Sequence, residues 1–347
     1  MSRTLRTPLP ALLTCLALWS GAVPADGQTS AALHVSDDSK RNELVLQLGP
    51  YNLPLAGHEG HAGHVTTPAH EITVPISGWL RGYRVELVDG NGRELPRRLL
   101  HHMNLIAPER RELFSPIMLR VAAAGQETAP AMLPRLLGMR VERGERLLLK
   151  AMLHNPTSEP HPEVYLRVHM PYTQAKSWPK PRSVFPFYMD VTEPAGETHA
   201  YDLPPGRSER SWEARPAVSG RILGVSGHLH RYGVALRLED RTTGKVIWEG
   251  KPRVDAEGEI TGMPIKRFMW QMGVPIHADH VYRLTAIYEN PTGKTIPEGA
   301  MGALGGVIMV GDKQKWPGVD PTDPQYALDV KGTTGKAPGE AHEHHAH

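Results

Sequence analysis

One cysteine occurs in 347 residues, and it is Cys15, inside the first apolar stretch. A chain that sheds that stretch has no thiol, which excludes disulfides and thiolate metal sites. An excess of charge is also missing. Residues 1–25 hold Arg3 and Arg6 and no acid; the 39 Lys and Arg of the full chain less these two leave 37, against 37 Asp and Glu. A formal charge near zero lacks the basic surplus that nucleic-acid binding needs. Beyond the first stretch no run approaches 18 apolar residues, so no membrane insertion is expected once the leader is cleaved. Long apolar faces with a 3.6-residue period are absent too, so helices should be few and short.

The first 25 residues read as an export signal. Arg3 and Arg6 precede the apolar run Leu9–Ala22, and Val23-Pro24-Ala25 offers small residues before Asp26. The chain is therefore expected in the periplasm or secreted. Leu-Leu-Thr ahead of Cys15 is a poor lipoprotein signal, which wants a small residue there.

The remaining residues are too many for one ordinary domain and suit two. Short Val-, Ile- and Leu-rich runs alternate with turn residues among 32 prolines and 34 glycines, which favours sandwiches or barrels. Strands are expected at Glu43–Leu48, Tyr83–Val88, Leu100–Ile106, Leu147–His154, Val164–His169, Gly233–Leu238, Val281–Tyr288 and Gly306–Val310. Asp89-Gly90-Asn91-Gly92 and Asp240–Gly244 read as hairpin turns, and Leu133–Met139 as one helical turn. The stretch YDLPPGRSER (201–210) reads as a linker between an N-terminal domain, 26–200, and a C-terminal domain, 211–320. Residues 321–347, rich in Gly, Pro, Thr and Lys and ending in histidines, read as a disordered tail. No internal repeat is visible.

Nineteen histidines stand out. His58, His61 and His64, with His70 nearby in the loop 57–70, form a glycine-flanked patch; the tail holds His342, His344, His345 and His347. Both are compositional signals for accessory metal binding without a defined geometry. The third group is His101-His102-Met103, His154, His228-Leu229-His230 and Met301. On a strand, residues i and i+2 face one side, so His228 and His230 can present two imidazoles to one ion. His101 and His102 can do so only at a strand end or bulge, or through different ring nitrogens. Imidazoles without thiolate, plus a soft thioether, suit copper in both oxidation states. Zinc more often recruits cysteine or carboxylate, and calcium and magnesium want oxygen.

Read in order, LLHHMNLI (99–106), LLLKAMLHNP (147–156), GHLHRYG (227–233) and PEGAMGALGGVIMV (297–310) resemble the type II copper, ascorbate-dependent monooxygenases, the family of peptidylglycine α-hydroxylating monooxygenase and dopamine β-monooxygenase. The resemblance spans residues 70–310 and lies in motif order and spacing. It implies an all-β chain of two tandem jelly-roll-like antiparallel β-sandwich domains facing across a wet cleft. It implies two copper ions per chain: an electron-transfer copper on His101, His102 and His154, and an oxygen-binding copper on His228, His230 and Met301. Each would load separately. Ascorbate or another one-electron donor would supply electrons, and O2 would hydroxylate a C–H bond of a small organic substrate.

Three features depart from the family. The mature chain has no disulfides. Ser226 stands where the peptide-amidating member has an arginine, and Gly302-Ala303-Leu304-Gly305 lacks that member's peptide-holding asparagine and tyrosine. A glycine-extended peptide is thus a poor substrate candidate, and a smaller or more apolar one fits better. The alternative function is a non-catalytic copper protein for storage, delivery or resistance. The histidine loop and Met263, Met269 and Met272 support it, although these methionines read first as packing around Trp270. A plain carbohydrate- or protein-binding sandwich is the third reading. His169, His277, His280 and Tyr232 read as surface, loop or packing residues.

Overall fold

The computed structural model describes residues 31–55, 65–192, 199–311 and 315–336. The leader, His58, His61 and His64, and the terminal histidines lie outside them.

The chain is all-β, built as sandwiches of antiparallel sheets. In Glu43–Leu53 alternate residues Leu44, Leu46 and Leu48 are fully buried, while Glu43, Val45 and Gln47 stay half-buried; this period of two is what one covered sheet face demands. The strand pairs with Ala32–Asp38 on one side and His161–Gln174 on the other, and Gly82–Val88 and Gly78–Leu80 join the latter. The facing sheet consists of Leu100–Arg111, Met118–Gly125, Arg146–Leu153 and the short Val65–Thr66 and His70–Thr73. Leu105, Leu147 and Leu149 of this sheet meet Leu44, Leu46 and Leu48 of the first in one core.

A second core lies between another pair of sheets. One holds Phe185–Asp190, Gly302–Met309 and Gly220–Leu229; the other holds Gly206–Ala214, Tyr282–Asn290, Gly233–Asp240 and Lys245–Gly250. Ile222, Val225, Leu304 and Ile308 from the first pack on Leu236, Leu238, Leu284 and Ala286 from the second. Both expected hairpins form: Gly92 N–H donates to Asp89 O, and Asp240 Oδ1 accepts from Thr242 and Thr243 N–H at 2.9 and 3.2 Å.

The domain boundary differs from the expected one. Arg182–Ser183 still pairs with Leu137–Val141 of the first unit, whereas Phe185–Asp190 already pairs with Gly302–Met309 of the second. Residues 201–210 are no linker. Tyr201–Leu203 and Gly206–Ala214 are strands, and Pro204-Pro205-Gly206 is the corner between them, with Gly206 at φ 76°. The helical turn expected over Leu133–Met139 does not form: a tight turn closed by Leu137 N–H on Pro134 O leads straight into the strand Leu137–Val141.

The tail is also corrected. Pro324–Thr334 is an α-helix. Asp323 caps it by accepting from Gln325 N–H at 2.8 Å, Pro324 occupies the first turn, and Gly335 ends it at φ 72°; these are ordinary start and stop signals. Tyr326 and Val330 pack on Ile106, Met118 and Leu148, and Asp329 forms a buried ion pair with Arg120 at 2.5 Å. The C-terminal segment thus returns from the second sandwich to the first. On the way Trp316 stacks on Phe185 at 4.3 Å and donates Nε1–H to Arg111 O at 2.8 Å.

A repeat does exist, and it is structural. Asn155-Pro156-Thr157 and Asn290-Pro291-Thr292 make the same clamp. Asn155 Nδ2 donates to Leu53 O, Pro54 O and Glu159 O. Asn290 Nδ2 donates to Leu203 O, Pro204 O and Lys294 O. Each threonine hydroxyl returns to its asparagine Oδ1, at 2.6 and 2.7 Å.

Candidate metal centres

His101 and His102 converge because the strand carrying them is bulged. Leu153 pairs with Leu100 and Met152 with His102, so His101 is an extra residue without a partner position. A bulge of this kind re-aims side chains. The two Nδ1 atoms come to 2.7 Å. With a metal–imidazole bond of about 2.0–2.1 Å, this separation subtends about 80° at one ion, close to a cis pair.

His154 follows strand Arg146–Leu153, and its ring lies edge-on to His101 at 5.2 Å. Its backbone N–H donates to Leu99 O at 3.0 Å and its Nε2–H to Arg98 O at 2.6 Å. The second bond assigns the tautomer with the lone pair on Nδ1. The sequence that follows, Asn155, clamps Leu53 and Pro54, while Val65 pairs with Leu153. The described residues on either side of the His58–His64 stretch therefore sit beside His154.

In the second unit the rings of His228 and His230 lie 5.2 Å apart at 88°. His228 pairs with Ala303 and Leu229 with Gly302, so the next position across the ladder sets His230 against Met301. One hydroxyl fixes that pairing. Tyr288 is fully buried; its Oη accepts from His230 N–H at 2.9 Å and Met301 N–H at 3.0 Å, and donates to Met301 O at 2.5 Å.

The two groups meet through a carboxylate. Glu127, on the turn after Met118–Gly125, accepts from His228 Nδ1–H at 2.7 Å across the domain junction. The turn is held by Gly125 N–H on Thr128 Oγ1 at 2.9 Å and by Arg97 on Thr128 O at 2.6 Å. A side chain on Gly125 would come within 2.8 Å of the Glu127 carboxylate, so glycine makes room for it. Gly125 is itself the ladder partner of His102.

Electrostatics agree with this proximity. Burial, then the charges of His228, His199 and Lys150, push His102 down to about 4. Burial, then His228, push His230 down to about 4. For Glu127, burial alone would raise the pKa, but the hydrogen bond and charge of His228 outweigh it and hold the carboxyl at about 2. Both shifts favour the neutral imidazole, the form that offers a lone pair to a cation.

Among the described residues, no three His, Cys, Asp or Glu side chains are disposed as they stand to hold one metal ion. In the first group His101 and His102 converge at 2.7 Å, and the ring of His154 stands 5.2 Å from that of His101. The second has only two such residues, His228 and His230, with the Met301 backbone bound to the same Tyr288 hydroxyl as His230 N–H. In donor chemistry, tautomer and protonation the residues fit copper.

The other histidines lie elsewhere. His169 is not a surface residue: it is buried between Glu86 at 2.9 Å and Glu43 at 3.1 Å, with Arg84 at 2.8 Å. His280 is bound to Asp240 at 2.8 Å, and His70 pairs with Leu149 in the ladder. Met263 is core, but Trp270 is 95% exposed and Met272 is 76% exposed, so these methionines do not pack around the tryptophan. Sequence reasoning missed Glu127 and Tyr288. Glu127 lies in AAAGQETAP, with no motif spacing, and Tyr288 reads as an ordinary strand aromatic.

Among the described residues no helix is long and apolar enough to cross a membrane. No protein-family model matches the chain, and no protein of curated function matches it. Among solved structures, a protein of Sulfolobus turreted icosahedral virus aligns over 78% of this chain at 9% identity and TM-score 0.18, and the aligned part is 60% of the viral chain. The VP2 subviral particle of infectious bursal disease virus aligns over 85% of this chain and 76% of its own, at 10% identity and TM-score 0.24. Latent PorU of Porphyromonas gingivalis aligns over 70% of this chain and 24% of its own, at 13% identity and TM-score 0.21. Superpositions this loose carry no argument about function.

Proposed function

We propose that the chain is a copper-dependent monooxygenase that hydroxylates a C–H bond of a small organic substrate with O2 and a one-electron donor such as ascorbate. What supports the reading is that residues named only by motif order gather into two imidazole groups on opposite sides of one domain junction.

His101, His102 and His154 would hold one copper, and His228, His230 and Met301 the other. Copper supplies one-electron chemistry and dioxygen activation when bound. The chain's own residues set the terms. The Arg98 carbonyl holds the proton of His154 on Nε2, so Nδ1 would be the nitrogen that binds a metal. Glu127 accepts a hydrogen bond from His228 Nδ1–H, which would leave the Nε2 lone pair to a metal, as carboxylates commonly do behind metal-bound histidines. Tyr288 keeps His230 and Met301 in register, and Met301 adds a soft donor that favours the reduced ion. Substrate would enter at the junction beside His228; without the amidating member's arginine at Ser226, an apolar molecule suits it better than a peptide carboxylate.

The second reading is a non-catalytic copper protein for storage or delivery in an export compartment. The observation favouring it is that the flanks of the His58–His64 stretch are pinned beside His154. Copper titration of the full chain against a competing chelator, paired with oxygen uptake, separates the two. The enzyme reading expects two tightly held coppers, one in His228→Ala, and ascorbate-driven oxygen uptake above free copper that is lost in Met301→Ala. Two coppers with no Met301-dependent uptake for any small substrate favours storage. A folded chain that holds no copper overturns both.

A further inference from the structure

Among the described residues the three most exposed large apolar side chains, with two others, fall close together, while Leu55, Met132, Val246, Val254 and Leu328 lie elsewhere. Trp178 is 89% exposed, Trp270 95%, Met272 76%, Leu136 52% and Ile265 41%. They fall in three stretches, 133–138 (LPRLLG), 175–183 (AKSWPKPRS) and 264–273 (PIKRFMWQMG). None of the three contains an Asp or Glu, whereas they contain Arg135, Lys176, Lys180, Arg182, Lys266 and Arg267. In a chain whose opposite charges balance only when these six are counted, this is a concentrated basic, aromatic surface.

The stretches belong to one face although they come from both domains. Arg182 N–H donates to Leu136 O at 2.8 Å, which joins the first two. Arg182 and Arg221 line the same cavity with Ser219, Pro275 and Ile276. Arg221 in turn donates through Nε to Met272 O and through its other nitrogen to Gly273 O at 2.8 Å, which joins the third. Met272 is itself held at φ 52°, in the left-handed region, at the end of the short turn Met269–Gln271. That region is uncommon for a side chain of this kind.

We propose that this face docks the protein peripherally on an anionic lipid surface, with Trp178 and Trp270 seated at the headgroup level and the surrounding lysines and arginines over the lipid charges. The proposal does not depend on the metal reading. Two features select lipid over a protein partner. The apolar side chains stand on separate loop tips with cations between them, so they offer no continuous apolar face for another protein to pack on, as an interface core requires. A fluid headgroup layer accepts isolated tryptophans, which favour that depth, and basic residues add attraction to anionic lipid. No helix has to cross the bilayer.

Cosedimentation of the full chain with vesicles tests this. Wild type should bind vesicles of phosphatidylglycerol mixed with phosphatidylcholine, bind pure phosphatidylcholine far more weakly, and lose affinity as salt rises. Trp178→Ala with Trp270→Ala should reduce binding at least tenfold. Lys266→Ala with Arg267→Ala should reduce it about thirtyfold, at roughly fivefold for each basic residue. The four side chains are exposed, so circular dichroism and the melting temperature should stay unchanged; Trp178→Ala and Trp270→Ala singly give a second route if the pair misfolds. Equal binding to neutral vesicles, no binding by wild type, or unaltered binding in both variants overturns the proposal. So does Trp-dependent self-association in sedimentation velocity without vesicle binding, which would make the face a contact between copies of the chain.

Discussion

Tyr288→Phe removes one oxygen atom and tests how the second metal group is assembled. The hydroxyl serves three partners: His230 N–H, Met301 N–H and Met301 O. Phenylalanine keeps the ring in the core but leaves these backbone groups without that partner. Each unsatisfied buried group costs about 1–3 kcal/mol. Water can reach the half-buried side of His230, so the sum should stay near 2–4 kcal/mol rather than the maximum. The melting temperature should then fall by roughly 3–6 °C for a chain of this length unfolding in one transition. The stronger expectation concerns metal. Without the hydroxyl the ladder at His228–Ala303 and Leu229–Gly302 remains, but the direct tie between His230 and Met301 is lost, and partners behind a metal ligand typically change affinity by about 10–100-fold. The assay is Cu(I) competition with a chromogenic chelator in a His101→Ala, His102→Ala background, so that only the second group reports. A weaker copper affinity with an unchanged first group, measured in a His228→Ala background, supports the reasoning. A second-group affinity within twofold of the parent refutes the claim that the hydroxyl sets the site, even if the melting temperature falls.

Two further expectations follow from the junction. Glu127→Gln keeps an oxygen near His228 Nδ1 but removes the charge, so copper held by the second group should weaken by about tenfold while the first is unaffected; separate titrations in the two histidine-to-alanine backgrounds check this. Glu112 is fully buried and accepts from Leu113, Arg120 and Tyr188 N–H. Burial pushes its carboxyl from 4.5 up to about 7 against those three donors. A raised carboxyl means that the folded chain holds the proton more tightly than the unfolded one. Its contribution is therefore full below about pH 4.5 and is lost as pH rises through 7, at most about 3 kcal/mol. Urea unfolding from pH 5 to 8 should show that slope in wild type, and Glu112→Gln should lack it.

Much of the sandwich was legible because a strand with one covered face writes its period into the sequence, as Leu44, Leu46 and Leu48 do. The hairpin at Asp89–Gly92 was legible for a similar reason, since its backbone needs turn residues. Boundaries were not. Pro204-Pro205-Gly206 bends the chain in the same way whether it links two domains or turns a corner inside one, and only the partner of Phe185 tells them apart. The terminal helix was hidden by composition, although Asp323-Pro324 and Gly335 mark its ends. The repeat was hidden because a clamp of three residues leaves the rest of each domain free to diverge. At the histidine groups, i and i+2 spacing predicted that His228 and His230 share one side of their strand, as their rings do at 5.2 Å. For His101 and His102 spacing could offer a bulge only as one alternative, because a bulge is a property of the ladder and not of either residue. Glu127 and Tyr288 act across the fold, where local pattern carries no information.

The junction also bears on whether the two groups can move independently, which separate loading on two domains would allow. Interdomain motion is the default where the interface is small and polar. Here Phe114, from the turn that follows the first unit's Leu100–Arg111 strand, sits in the second core, 5.8 Å from the Phe187 ring and 5.9 Å from that of Tyr282. Trp316 bridges both cores, and the terminal helix returns to the first unit. To separate His102 from His228 the chain would have to withdraw Phe114 from its pocket and break the Glu127–His228 bond. The distance between the groups is therefore set by packing, and electron transfer between them would occur at one fixed geometry. Phe114→Ala is the decisive perturbation. The lost side chain and its cavity should cost about 3–5 kcal/mol, and the domains should unfold in two resolved transitions instead of one. With the plug removed, small-angle scattering should show a larger radius of gyration, and copper binding at one group should cease to depend on Glu127 from the other domain. A single unfolding transition with unchanged dimensions would mean that the helix and Trp316 alone hold the domains, and that Phe114 merely fills space.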